Sequence, residues 1–549
     1  MPLHPEIVVL WERFIHGLIA LRVFEMSLQP CPRVIVGGTL IDGTGRSPIF
    51  DSVVVIDDEW VVAVGKRDEV PIPEGAEVID ASGRTVMPGL IDAHVHFLGM
   101  GISMIQNLNL RDTASIVEAL DLLRKRVSTA EKGEWIRGMG WDDSKWEERR
   151  YATRFDLDAV SPDNPVMLVR VCGHLMTLNS RALEVAGITK DTADPPGGLI
   201  DRTPEGEPTG VLRDAGHLVW KNIPPVSEET ALEGLRMVCD HALSLGCTGV
   251  HEAGLDGFGI RVYQRAMKEG SLKVRAYLMW RNGLAESMDA LGLITGFGNE
   301  MVKLGSAKMI LDGSLGARTA SLFEPYEDDP STKGLLMMSE EELVERVKTV
   351  HKAGSQVAVH AIGDYAIELV IGAIGEAIRD SPRKGHRHRI EHCELLSSNQ
   401  IERIRSLGIV PSMQPNFAGE WSGKDGLYEN RLGKRRLRQN NPYRYLLDEG
   451  VKVAFGSDCM PFSPLYGIWS AVNHPVRESR ITLEEAVRGF TLDAAYASFE
   501  EKLKGSVEPG KLADITILEK DLTQLPSEEI KDVSVMMTIV GGKILYHDD

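Results

Sequence analysis

Cysteine is sparse in this 549-residue chain, and what there is shows no pattern. Cys31, Cys172, Cys239, Cys247, Cys393 and Cys459 are scattered without paired spacing, which argues against a disulfide framework and for a reducing cytoplasm. A basic excess is missing as well: 61 Lys and Arg against 80 Asp and Glu leave a formal net charge of −19. That balance disfavours a nucleic-acid partner and offers anionic lipid no basic face. No apolar stretch is long enough to span a bilayer, since Glu12, Arg13 and Arg22 interrupt the fairly apolar segment Val8–Phe24. No clear small-residue cleavage site follows that segment either. Residues 1–26 read as an N-terminal extension, either a mis-assigned start or an added amphipathic helix, with the former preferred. Internal repeats, low-complexity tracts and long disordered linkers are also lacking. The length suits two or three domains.

What the chain does have is a run ending in two histidines, Pro88-Gly89-Leu90-Ile91-Asp92-Ala93-His94-Val95-His96. In a strand, residues i and i+2 project from one face, so both imidazoles are expected together at its C-terminal end. Two same-face imidazoles suit a divalent metal such as zinc, although one such pair is weak evidence. Further short apolar runs end in chemistry-bearing residues: one at His360, one at His392, one at Asp458, and one carrying Lys308 and Asp312. Amphipathic helices expected over Ser339–Ala353 and Ser397–Leu407 separate some of them, and strand–helix alternation implies a parallel sheet with helical crossovers.

Eight such strands are expected: Leu90–His96, Gly249–Ala253, Val274–Met279, Ala307–Asp312, Val357–Ile362, Arg389–Cys393, Val410–Gln414 and Val453–Asp458. The fold class is therefore α/β, a distorted TIM (β/α)8 barrel over residues 87–503. Every candidate ligand falls at or near the C-terminal end of its strand, the face on which such barrels carry active sites. Short strands at about 27–86 and from about 504 to 549 imply one small β-sandwich built from both ends of the chain. Residues about 100–240 form an insert after barrel strand one and are expected to overhang the active-site face.

The segments PGLIDAHVHF, AKMILDGSLGARTASL, VAVHAIGD, RIEH, FGSD, TLDAAYAS and GSVEPGKLADITIL carry a resemblance. From about residue 33 onward the chain resembles the amidohydrolase superfamily of metal-dependent hydrolases, in the YtcJ-like branch that includes N-substituted formamide deformylases. DGSLGARTASL is the segment pointing to that branch. The resemblance implies metal ligation by His94, His96, Lys308, His360, His392 and Asp458. One divalent metal, zinc by expectation, would sit on His94, His96 and Asp458; a second would sit on His360 and His392. Lys308, on strand four, would react with carbon dioxide to give a carbamate that bridges the two metals. Asp458 would act as general base and then acid on a metal-activated water. Catalytic roles thus fall to Asp458, Lys308 and His174, and substrate contacts to His174, Asp312 and Arg318.

Other readings of these residues stand beside those. Lys308 can instead pair unmodified with Asp312, and Asp458 can serve as a helix N-cap. Glu252 is the alternative bridging group, and His174 can be structural. Arg318 can pair with a neighbouring acid. Trp141, Trp146 and Trp421 suit core packing as well as a pocket wall, and Cys393 and Cys459 suit small buried hydrophobes. His386 and His388 are expected to be solvated. The expected activity is hydrolysis of a non-peptide carbon–nitrogen bond, in an N-acyl or N-formyl amine or a cyclic amide. Ester, lactone or carbamate hydrolysis and a one-metal deaminase are the alternatives. The expected partner is a small-molecule amide, with no nucleic acid and no membrane, and the chain is expected to form a homo-oligomer, by preference a dimer.

Overall fold

The computed structural model describes residues 32–548, so the reading of residues 1–26 lies outside the described residues. Eight parallel strands follow one another in chain order around the barrel: Leu90–Val95, Cys247–Leu255, Arg275–Arg281, Val302–Ile310, Val357–Ala361, Arg389–His392, Val410–Met413 and Ala454–Phe455. They are called barrel strands one to eight below. In strand five, Val357, Val359 and Ala361 face the surrounding helices, while Ala358 packs inside with Ala253, Tyr277 and Met279. This alternation turns a continuous apolar run into a two-sided buried strand. The crossover helices Glu340–Lys352 and Ser398–Leu407 are capped by Ser339 and Ser397.

Strand eight is shorter than expected, only two residues long. Beyond it the chain leaves the ladder, yet it still closes the barrel against strand one. Asp458 N–H donates to His94 O at 2.8 Å, and Ser457 N–H donates to Asp92 Oδ1 at 3.0 Å. A Cβ on Gly456 would lie 2.4 Å from His94 N, so only glycine permits this approach.

Two further sheets flank the barrel. The first has eight strands drawn from both ends of the chain, with Ile515–Leu518 joining Thr85–Pro88 and, through it, Arg33–Leu40. Ile35, Val54, Ile515 and Ile539 fill one of its faces, and Val34, Val36, Val53 and Val55 the other. The second sheet lies in the insert between barrel strands one and two and has six strands between Asn107 and Arg213. Trp141 and Trp146 stack in its core with ring centroids 5.0 Å apart, so both are packing residues.

Some expectations need correction. His386 and His388 are buried, not solvated. His388 Nδ1 accepts from Val357 N–H at 3.0 Å, and its Nε2 lies 2.7 Å from His351 Nδ1. His386 Nδ1 accepts from His388 N–H, and its Nε2 bonds Leu407 O at 2.9 Å. Backbone and neighbouring rings thus replace water. Glu252 does not reach the ligand cluster, because its carboxylate accepts from Leu98 N–H at 2.7 Å and the Tyr263 hydroxyl at 2.6 Å. Among the described residues no helix is long and apolar enough to cross a membrane.

Candidate active site

Strand one delivers His94 into the mouth of the barrel, buried at its end. Its Nδ1 lies 2.5 Å from Glu391 Oε2. Glu391 is gripped in turn by Arg389, whose Nε and Nη2 donate to the two carboxylate oxygens at 2.7 and 2.9 Å. A carboxylate at Nδ1 fixes the proton there and leaves Nε2 as the free donor atom, the arrangement that orients metal-binding histidines. That Nε2 lies 3.3 Å from Lys308 Nζ and 4.0 Å from Asp458 Oδ1.

His392 enters from strand six, with its ring 4.8 Å from that of His94 and 4.2 Å from that of His360. Simple alternation would point His392 away from Glu391. Left-handed backbone at His392 (φ 70°) and Cys393 (φ 53°) turns the chain instead. Ligand atoms of His94, His392 and Asp458 all lie within 4.8 Å of one another. His360 sits beside them with Nε2 bonded to Gly313 O at 2.9 Å, which leaves Nδ1 as its lone-pair nitrogen. His96 differs from expectation. Strand one ends at Val95 and His96 caps the following helix, so alternation no longer governs it. Its side chain is 56% exposed and meets Asp458 from the solvent side, with Nε2 3.5 Å from Oδ1.

Burial dominates the electrostatics here. It holds His94, His360 and His392 well below the usual imidazole range, so they are neutral, lone-pair-bearing ligands at neutral pH. Burial also raises the pKa of Asp458 and lowers that of Lys308. Neutral imidazole nitrogens gathered round one carboxylate, with His392 Nδ1 buried and unpartnered, fit a divalent metal of the zinc type. Lys308 points at His94 and is not paired with Asp312. Asp458 is not a helix cap either, since Ser463 caps the next helix.

The insert brings His174 over this cluster, its ring 5.3 Å from that of His360. Burial alone would lower its pKa, but the Asp214 carboxylate, 2.5 Å from Nδ1, outweighs this and lifts it to about 9. His174 is therefore a half-buried cation. Beside it opens a small cleft whose lining includes Phe417, Trp421, Tyr428 and Met460 together with His360, His392 and Asp458.

Asp312 and Arg318 do not line the cleft, although Asp312 Oδ1 lies 3.7 Å from His360 Nε2. Strand four ends at Ile310, and the Asp312 carboxylate accepts from the N–H groups of Ser321, Ile362 and Gly363 at 2.8 to 3.0 Å. It clamps the loop after strand four to the end of strand five. A Cβ on Gly363 would meet Ser321 O at 1.9 Å, so glycine is needed at this crossing. The Arg318 guanidinium is held by Asp328 at 2.9 and 3.2 Å. Sequence reasoning missed Glu391, Arg389 and Asp214. A signal existed for the first two, because an Arg and a Glu two apart in a buried strand must face one another's charge.

A closed (β/α)8 barrel with neutral histidines and a buried aspartate at its C-terminal mouth defines a metal-dependent hydrolase. The chain belongs to the amidohydrolase family, whose model matches residues 77–546. It is 33% identical over 517 residues to the putative amidohydrolase YtcJ of Bacillus subtilis (strain 168), covering 90% of this chain and 95% of that protein. It is 28% identical over 517 residues to the N-substituted formamide deformylase of Arthrobacter pascens, covering 90% of this chain and 94% of that one. The crystal structure of an uncharacterized metal-dependent hydrolase from Pyrococcus furiosus superposes with a TM-score of 0.70 at 29% identity, covering 89% of this chain and 99% of that one. The chain thus falls in the YtcJ-like branch of its family.

Proposed function

We propose that the protein hydrolyses a non-peptide carbon–nitrogen bond, in an N-acyl or N-formyl amine or a cyclic amide, at a metal centre. The observation that carries this reading is the convergence of His94, His392 and Asp458 within 4.8 Å beside a cleft flanked by cationic His174. Similarity to a protein named for deformylating N-substituted formamides supports the bond type.

His94, His392 and Asp458 would hold one divalent ion, zinc by preference, with His96 at the solvent side of Asp458. A second would be held by His360 together with a carboxylated Lys308. Carboxylation joins the neutral amine nitrogen to the carbon of carbon dioxide and releases one proton. The burial that lowers the Lys308 pKa favours the neutral amine this needs. A bound divalent metal supplies a water of lowered pKa, near 7 for zinc, and a polarised carbonyl.

The chain's own groups do the rest. Asp458 takes the proton of the attacking water and delivers it to the leaving nitrogen, and its burial-raised pKa suits both transfers. His174, kept protonated by Asp214, donates from Nε2 to the carbonyl oxygen as negative charge develops there. Glu391 keeps His94 in one tautomer. We place this chemistry in the cytoplasm on the strength of the five cysteines that are unpaired among the described residues.

The test is a panel of N-formyl amines, N-acyl amines and cyclic amides, each beside its ester or lactone counterpart, with product amine and acid quantified. Amide turnover above that of the matched esters is expected. Turnover of esters alone would overturn the assignment of bond type.

A further inference from the structure

Barrel strands three and four end in side chains that the chemistry above leaves unused. On strand three, Tyr277 and Met279 point into the barrel with Ala253 and Ala358, while Leu278 and Trp280 pack outward. Alternation carries the inward stripe on to Arg281, the last residue of the strand and an exposed one. On strand four, Ala307 and Met309 pack outward and Lys308 points at His94. Ile310, two residues beyond Lys308, therefore faces the barrel mouth as well, and it is 47% exposed. His96 is exposed at the end of strand one. This side of the ligand cluster is thus open to solvent, apart from the small cleft beside His174.

Arg281 is held there but not neutralised. It stands in register with Lys308 on the next strand, and adjacent strands lie about 4.8 Å apart. Its Nε donates to Gly254 O at 2.8 Å. Gly254 in turn lies against the stem of Lys308, where a Cβ would come within 3.7 Å of Lys308 Cγ. The Arg281 charge is also felt at the His96 ring. Yet the guanidinium makes no ion pair, and Nη1 and Nη2 make no hydrogen bond, with any described residue. Three other arginines around the site are committed: Arg389 to Glu391, Arg170 to Asp142 and Asp143, and Arg318 to Asp328. A guanidinium whose two terminal nitrogens are free presents the planar fork that a carboxylate meets with two parallel hydrogen bonds. Ile310, exposed on the neighbouring strand, offers apolar surface for the same ligand to cover.

We propose that Arg281 is a specificity-determining residue that binds a carboxylate of the substrate. The amides cleaved here then carry that group a few atoms from the scissile bond, beside an apolar substituent that covers Ile310. This deepens the carbon–nitrogen hydrolase reading above and rests on it.

The probes are the N-formyl derivatives of racemic leucine and of leucinamide, an anionic and a neutral molecule of nearly one shape. The O-formyl esters of the corresponding hydroxy acid and its amide are run in parallel, all on the metal-loaded full-length protein. Ratios of kcat/KM for carboxylate over carboxamide within a series test Arg281, and comparison between the series tests the bond type, so the two claims fail separately. Wild type is expected to prefer the carboxylate by at least about tenfold, the worth of one hydrogen bond to a charged group. Arg281→Met should bring that ratio to about one, chiefly through the KM of the carboxylate probe. Arg281→Lys keeps the charge and loses the fork, so it should give an intermediate ratio; it carries the test if the Met variant does not fold. A merely structural role would slow both probes together and leave the ratio unchanged. Equal turnover of the two by the wild type, a preference for the carboxamide, no turnover in either series, or a ratio unchanged in the folded variants would overturn the proposal.

Discussion

His94 and Glu391 stand 297 residues apart in the chain and meet with Nδ1 2.5 Å from Oε2. The contact joins barrel strand one to strand six across the interior. Arg389 makes it rigid by holding both Glu391 oxygens and also donating to Ala93 O and Ser412 Oγ, at 2.6 and 2.9 Å. His94 is thereby set in one tautomer and one orientation before any ligand arrives. Through these contacts, parts of strands one, six and seven act as one unit.

Glu391→Gln tests that relationship. The isosteric amide keeps the volume but loses the charge that fixes the imidazole. Metal affinity should fall by roughly 10- to 100-fold, as it does when such supporting carboxylates are removed elsewhere. Competition with a chromogenic chelator measures it, and unchanged affinity would deny Glu391 its orienting role.

Lys308→Ala should lose one of two metals and most of the hydrolytic activity. Elemental analysis per chain of the variant and the wild type, purified without chelators, checks this. One metal in both proteins would show a mononuclear site and remove the carbamate from the mechanism.

Asp312→Ala should destabilise the fold by at least about 2 kcal/mol, because three backbone N–H groups lose their acceptor in a buried position. Urea unfolding measures this loss. Residual hydrolysis by folded protein should remain above that of a His392 variant, since Asp312 anchors a loop and lies outside the cleft.

Much of the barrel was legible in the sequence because each strand is a short apolar run closing on a polar ligand. Lys308, His360 and His392 fall within or at the ends of their strands as that pattern implied, whereas Asp458 lies past the end of strand eight. The misplacements share one cause: alternation holds only inside a ladder. His96 and Asp312 lie just past their strand ends. Glu391 was missed because its partner His94 is 297 residues away, although Arg389 two positions before it in the same apolar run was a local sign. His386 and His388 looked like surface residues because their backbone partners come from other segments.

Those two histidines give a pH prediction. Burial pushes His386 down to about 4 and His388 well below the usual range, so the folded protein holds both neutral. The unfolded chain titrates near 6.5, and its preferential protonation favours unfolding as pH falls. Their stabilising contribution is thus full above about pH 6.5 and is lost as pH falls from there toward about 4. Asp92 and Glu252, raised to about 7 by burial, act with the opposite sign over much of that window, so a single protein's profile mixes the two. The difference between wild type and His386→Asn isolates the histidine. Urea unfolding should show a gap of about 1–2 kcal/mol at pH 7 that closes by pH 5. A gap independent of pH would contradict the neutral cluster.

The most direct test of the central claim is metal analysis coupled to activity. Wild type and Asp458→Asn would be dialysed against a chelator, then returned stepwise to zinc while metal per chain and amide turnover are followed. The account predicts that wild-type turnover disappears with the metal and returns in proportion to it, while Asp458→Asn stays below about 1% of wild type at any zinc level. Wild-type turnover that survives complete removal of metal would contradict the assignment of His94, His392 and Asp458 as a metal centre.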